Sequence, residues 1–159
     1  MPHPFALRDV GGQDQDFLDV LYITSREDLV PPGADVGLLM PLLRMQQKAQ
    51  QAGFQNSFPA ARHLVLARAG QPIGRVVVDT SPTDLRLVDI AILPQARRIG
   101  AARAVLQVLQ AAAQAQGLGM SLAVSKANQA ARGLYLTQGF RVATQDELFE
   151  QMVWQGGLS

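Results

Sequence analysis

The sequence predicts a single α/β domain, residues 1–159, built on a mixed sheet with a crossover helix. Three observations predict it. The length of 159 residues suits one domain at about 100–200 residues each. Short segments rich in Val, Ile and Leu alternate with helical stripes, and the breakers fall singly between them. Leu85–Leu93 carries apolar side chains on both alternating faces, the pattern of a central strand covered on both sides.

The elements follow in order. Phe5–Val10 is a short apolar run before Gly11-Gly12 and predicts a strand. From Asp14 to Ser25, Phe17, Leu18, Leu21 and Tyr22 recur at helical spacing. Val30-Pro31-Pro32-Gly33 breaks the chain. Pro41 then suits the first turn of a second helix, with Leu42, Met45 and Ala49 on one stripe and Gly53 as its end. His63–Ala69 and Ile73–Thr80 predict a hairpin turned by Gly70-Gln71-Pro72, with Gly74 and Arg75 making its second strand irregular.

Ser81-Pro82-Thr83-Asp84 leads into the central strand. From Gly100 to Gln116 a helix is predicted by the stripe Ala102, Val105, Leu106, Leu109 and Ala113, with Gly117 as the stop. Leu118–Val124 alternates as a strand. Asn128 is a suitable cap for a helix reaching Thr137, and Gly139 stands where a C-terminal glycine belongs. Phe140–Ala143 and Leu148–Trp154 predict a closing hairpin, whose strand ending at Trp154 offers an edge for a second copy of the chain, a homodimer.

Composition removes several classes of function. With 48% hydrophobic and 17% charged residues the chain can bury a core. Fourteen Lys and Arg against 13 Asp and Glu leave no broad basic footprint, which argues against a nucleic-acid partner. The absence of cysteine excludes disulfides, a thiolate nucleophile and Cys-ligated metals. His3 and His63 are the whole histidine inventory, too few for most transition-metal sites, so no metal is expected and neither receives a role. Met1-Pro2-His3-Pro4-Phe5 has no basic stretch followed by an apolar one, and no run approaches about 18 apolar residues. The expectation is a cytoplasmic protein with no membrane partner.

The richest segment is Ile90-Ala91-Ile92-Leu93-Pro94-Gln95-Ala96-Arg97-Arg98-Ile99-Gly100-Ala101-Ala102, a buried strand passing through a short turn into a helix start. Unpaired N–H groups and the positive end of the helix dipole favour an anion there. Gly100 and Ala102 let it approach the backbone, and Arg97 and Arg98 add charge. The second and third glycines of a dinucleotide fingerprint are missing, and no Lys-Ser or Lys-Thr pair follows. A diphosphate carried by another cofactor fits better.

Here the sequence resembles the GNAT family of acyl-CoA-dependent N-acyltransferases, whose pyrophosphate loop reads Q/R-x-x-G-x-G/A. Arg97, Gly100 and Ala102 match it. Asn128, Ala131, Leu134, Tyr135, Gly139 and Phe140 fill every fixed position of the family's N-x-x-A-x-x-L-Y-x-x-x-G-F. Both motifs stand in the family's order, and the resemblance is clearest over 62–154. Arg98 departs from it by standing where many members carry glycine.

The resemblance implies a mostly antiparallel mixed sheet with a splayed parallel strand pair, flanked by about four helices, and acetyl-CoA as cosubstrate. It further implies backbone hydrogen bonds to the pantetheine arm from Ile92 and Leu93. The diphosphate would lie on Arg97, Arg98, Ile99, Gly100, Ala101 and Ala102, with a contact from Asn128 to the arm. A primary amine of a small molecule or peptide would attack the thioester directly, and Tyr135 would protonate the departing thiolate. Asp89, a carboxylate in an apolar strand, is either a general base whose pKa desolvation raises or one half of a structural ion pair. The segment Val30–Pro59, with Met40, Met45, Phe54 and Phe58, would line the acceptor side. Two rivals stand beside the enzyme: a non-catalytic acyl-CoA-binding sensor or scaffold, and a small-molecule binding domain without CoA.

Overall fold

The computed structural model describes residues 4–26, 33 and 35–156. Among the described residues seven strands form one sheet in the order β1-β2-β3-β4-β5-β7-β6. They are β1 (Phe5–Asp9), β2 (Arg62–Arg68), β3 (Gln71–Thr80), β4 (Asp84–Ile92), β5 (Gly119–Ser125), β6 (Arg141–Gln145) and β7 (Phe149–Trp154). Four α-helices of the described residues accompany them: α1 (Gln15–Thr24), α2 (Val36–Ser57), α3 (Ala101–Ala115) and α4 (Gln129–Thr137). All pairings are antiparallel except β4 with β5, which α3 connects. His3 and residues 30–32 lie outside the described residues.

Four local expectations change. The β2–β3 turn is Ala69-Gly70, with φ of 50° and 83°. Arg68 pairs with Gln71 across it, so Gln71 and Pro72 already belong to β3. Two successive positive φ values match the right-handed twist of a two-residue hairpin. The second helix begins at Val36, and Pro41 sits inside it, because the Asp35 side chain accepts from the Gly37 N–H at 2.9 Å and starts the helix earlier. Gly53 does not end it. The helix continues to Ser57, and the ring of Phe54 in this last part lies over the Arg75 guanidinium and beside His63. Finally, β7 is flanked by β5 and β6, so the strand ending at Trp154 is interior and offers no edge. The edges are β1 and β6.

The main hydrophobic cluster lies between α3 and one sheet face. Val105, Leu106 and Ala113 of α3 meet Leu66, Val76, Leu87, Leu122 and Met152, all at most 3% exposed. The register of β4 explains how one strand serves two faces. Val77 pairs with Asp89 but Val78 pairs with Leu87, so Val88 is the extra residue of a β-bulge. Before the bulge Leu85 and Leu87 face the core. After it Ile90 and Ile92 do, and Asp89 turns to the opposite face beside Arg75.

The β4–β5 ladder ends after Leu87 and Leu122. Beyond it β4 stays on β3 and β5 stays on β7, so the two parallel strands splay. Among the described residues no helix is long and apolar enough to cross a membrane.

One ion pair fixes the first strand to the following turn. Arg8 meets both oxygens of Asp14 at 2.7 and 2.8 Å, and the Gly11 N–H donates to the same carboxylate at 2.7 Å. These bonds hold Asp14 at a pKa of about 2, below the usual 3.8. A depressed carboxylate stabilises the fold above its ordinary pKa and loses that contribution as pH falls through the folded value. Thermal melts should therefore show wild type losing stability between about pH 4 and about pH 2, with Asp14→Asn flattening that limb. Parallel acid profiles for the two proteins would refute this.

Candidate active site

The turn after β4 gathers most of the residues singled out above. A short 3-10 turn, Pro94–Ala96, passes through Arg97 to the start of α3. Arg98 has φ of 64° and Gly100 of 82°, both left-handed. That explains why glycine suits the Arg98 position: a residue with a Cβ there costs about 1–2 kcal/mol. Gly100 is the N-cap of α3, and no side chain caps the helix. The first-turn N–H groups thus have no acceptor within the helix, and no acidic residue stands in that turn.

A cleft of about 290 Å³ opens at this helix end, lined by Ile92, Arg97, Arg98, Gly100, Ala101 and Ala102, together with Arg103 and Leu134. Three guanidinium groups at the positive end of a helix dipole repel one another and the dipole, an arrangement that an anion relieves. Sequence reasoning missed Arg103; its signal is a third cation, standing in the first turn of α3 after Arg97 and Arg98 in the preceding loop. Ile99 packs on the core and does not line the cleft.

Backbone geometry separates Ile92 from Leu93. The Leu93 N–H donates to Ile73 O at 2.8 Å, and Leu93 O accepts from Ala96 at 2.9 Å, so both groups are engaged. In an antiparallel ladder the hydrogen-bonded residues alternate, so Ile92 directs its N–H and C=O away from β3, into the gap toward β5. Its carbonyl accepts from Arg97 Nε at 3.3 Å.

On the far side of the gap stands α4, and its sequence motif reads directly as capping chemistry. Asn128 Oδ1 accepts from the Ala131 N–H at 3.1 Å. At the other end Gly139, with φ of 95°, lets its own N–H bond Leu136 O and the Phe140 N–H bond Tyr135 O, a Schellman ending. Phe140 packs its ring 5.9 Å from that of Tyr135. Gln110 of α3 donates to Gln138 O at 2.8 Å, and Arg132 Nε donates to Glu150 of β7 at 2.6 Å.

Glu150 is 5% exposed, so Arg132→Ala leaves a buried carboxylate without its partner. Melting temperature should fall by several degrees, with Arg132→Lys recovering part of it. An unchanged melt would show that the pair does not hold α4.

Tyr135 is buried, and its hydroxyl makes no hydrogen bond with any described residue. Arg75 Nε is the one fully enclosed side-chain polar atom without a partner among the described residues, so the Tyr135 hydroxyl keeps a path to solvent. Burial, and then the charge of Asp89, push its pKa up to about 12. The two residues proposed for chemistry thus feel each other electrostatically.

Asp89 is not a lone desolvated carboxylate. Arg75 Nη2 donates to it at 2.5 Å, so of the two readings the ion pair is observed. Arg75 lies under α2, against Phe54. His63 faces the same side, with its pKa lowered by burial and then by the charge of Arg75.

A family model described as the Acetyltransferase (GNAT) family matches residues 38–140, which include the splayed strands, the loop and α4. The chain belongs to the GNAT acetyltransferase family. Solved structures agree in fold with this GNAT chain. PaiA N-acetyltransferase from Thermoplasma acidophilum, in complex with coenzyme A, is 14% identical at a TM-score of 0.69, over 95% of this chain and 98% of that one. Ard1 from Thermoplasma volcanium is 17% identical at 0.67, over 97% and 99%. The ribosomal-protein-S18-alanine N-acetyltransferase from Escherichia coli is 19% identical at 0.67, over 98% and 96%. No curated protein sequence matches the chain. GNAT enzymes are N-acetyltransferases that use acetyl-CoA, and the uncapped helix end with its three arginines fits that cosubstrate's diphosphate.

Proposed function

We propose that this GNAT enzyme transfers an acetyl group from acetyl-CoA directly to a primary amine. The observation that carries the reading is the open gap between β4 and β5, bounded by an uncapped cationic helix end on one side and by the Tyr135 helix on the other. Acetyl-CoA supplies the activated acetyl group as a thioester. The N–H groups at the start of α3, with Arg97, Arg98 and Arg103, hold the diphosphate. Ile92 provides main-chain bonding on the gap side, its N–H opposing the oxyanion that develops in the transition state. Leu93 serves through position, since its own polar groups are engaged. Asn128 retains its amide N–H₂ for the pantetheine arm.

Tyr135, protonated at every working pH, donates its proton to the sulfur as the C–S bond breaks, and the proton that the attacking nitrogen sheds on forming the amide returns to the phenolate through water. Asp89 attracts the acceptor's ammonium, whose proton leaves to water before attack, so the rate rises with pH. No cysteine exists to form a thioester with the chain, which agrees with direct transfer.

The deciding experiment follows thiol release from acetyl-CoA across a panel of primary amines, with calorimetry of acetyl-CoA binding and mass spectrometry of the protein. Binding, amine-dependent thiol release and an unmodified chain are expected. Binding without release for any amine would leave the sensor reading. No binding would remove coenzyme A from the site altogether.

A further inference from the structure

A second cleft, about 930 Å³, opens between α1 and α2 on the Arg75 face of the sheet. Its charges are unevenly matched. Asp9 is taken by Arg62 at 3.0 Å, and Asp19 accepts from the side-chain amides of Gln15 and Gln47 at 2.8 and 2.9 Å. Arg44 and Lys48, one turn apart on α2, line the cleft and pair with no described residue.

Arg75 also lines the cleft and is 7% exposed. Its Nη2 is engaged by Asp89 and Gln50. Nη1 has no partner among the described residues and is not among the fully enclosed atoms. Nε is fully enclosed with no partner among the described residues, the costly kind of donor, and the open Nη1 edge presents planar donors that suit a carboxylate or phosphate.

Arg75 bridges the cleft and Asp89, and Asp89 stands on the stretch of β4 beyond Leu87, where the strand has parted from β5. A molecule resting an oxyanion on Arg75 therefore has Asp89 beside it, within reach of an adjoining ammonium. His63 also lines this cleft.

We propose that this cleft holds the acceptor, and that the acceptor is an amine carrying an oxyanion, carboxylate or phosphate, within a few bonds of its nitrogen. The oxyanion lies on the open edge of Arg75, flanked by Arg44 and Lys48, and the nitrogen lies against Asp89. This rests on the acetyl-transfer reading above and adds the charge class of the substrate.

The test uses the full chain and matched pairs: L-α-amino acids against their amides, and phosphoethanolamine against ethanolamine. Thiol release and melting temperature are read for wild type and for the exposed double variant Arg44→Gln/Lys48→Gln, with acetyl-CoA affinity measured alongside. The anionic member of at least one pair should be preferred by about tenfold or more in kcat/KM, a difference near 1.4 kcal/mol. That member should also raise the melting temperature, and both effects should shrink in the double variant with acetyl-CoA affinity unchanged. Preference in the first pair identifies carboxylate, in the second phosphate. Equal use of charged and neutral members, or no stabilisation by any anionic member, overturns the proposal. Stabilisation by the anions in a protein that does not bind acetyl-CoA would instead overturn the transfer reading and leave the cleft's ligand class standing.

Discussion

Tyr135→Phe is expected to lower kcat by about 10²–10⁴-fold, the usual contribution of a positioned acid, while KM for acetyl-CoA changes little. The substitution is clean because the ring's packing against Phe140 is kept and the hydroxyl leaves no protein partner stranded. With the phenol at about 12, raised by burial first and by Asp89 second, wild type should show no alkaline loss from this group below about pH 11. Its rate should instead rise as the acceptor deprotonates. Steady-state thiol release across pH checks both points. A Phe variant turning over at the wild-type rate would remove Tyr135 from the chemistry.

Neutralising the loop should act on the other kinetic constant. In Arg97→Gln/Arg98→Gln/Arg103→Gln, three cations around the 290 Å³ cleft are lost. At about 1 kcal/mol for each solvent-screened contact, the sum is about 3 kcal/mol, or about 100-fold in KM for acetyl-CoA. The kcat at saturation should stay within a few fold, because none of the three side chains faces the reacting atoms in the proposed arrangement. The wild-type KM should rise with ionic strength and that of the variant should not. Titration calorimetry gives the same difference without turnover. An unchanged acetyl-CoA affinity would mean that the uncapped helix end is not where the diphosphate lies. The two variants together separate binding from chemistry: one moves KM, the other kcat.

Much of this site was legible from residues a few positions apart. Asn128, Gly139 and Phe140 frame Tyr135 through hydrogen bonds spanning at most five residues. Gly100 marks a left-handed N-cap because a Cβ disfavours that φ. The start of α2 follows Asp35, not Pro41, because the Asp35 side chain satisfies the Gly37 N–H and begins the helix at Val36.

Asp89 is where sequence reasoning stopped. A period of two assigns faces only if no residue is extra, and Val88 is extra. Its partner Arg75 is 14 residues away and reaches it only because β3 and β4 lie in this register.

The sequence by itself determined the capped helix α4, the order of the strands along the chain and the cationic, small-residue turn, because backbone sterics and near-neighbour hydrogen bonds decide those. Tertiary structure alone decided three things: the gap that opens beyond Leu87 and Leu122, the face on which Asp89 emerges, and the second cleft over Arg75. Each depends on which strands pair and where the pairing slips or stops, and ladder register is set by packing among segments far apart in the chain.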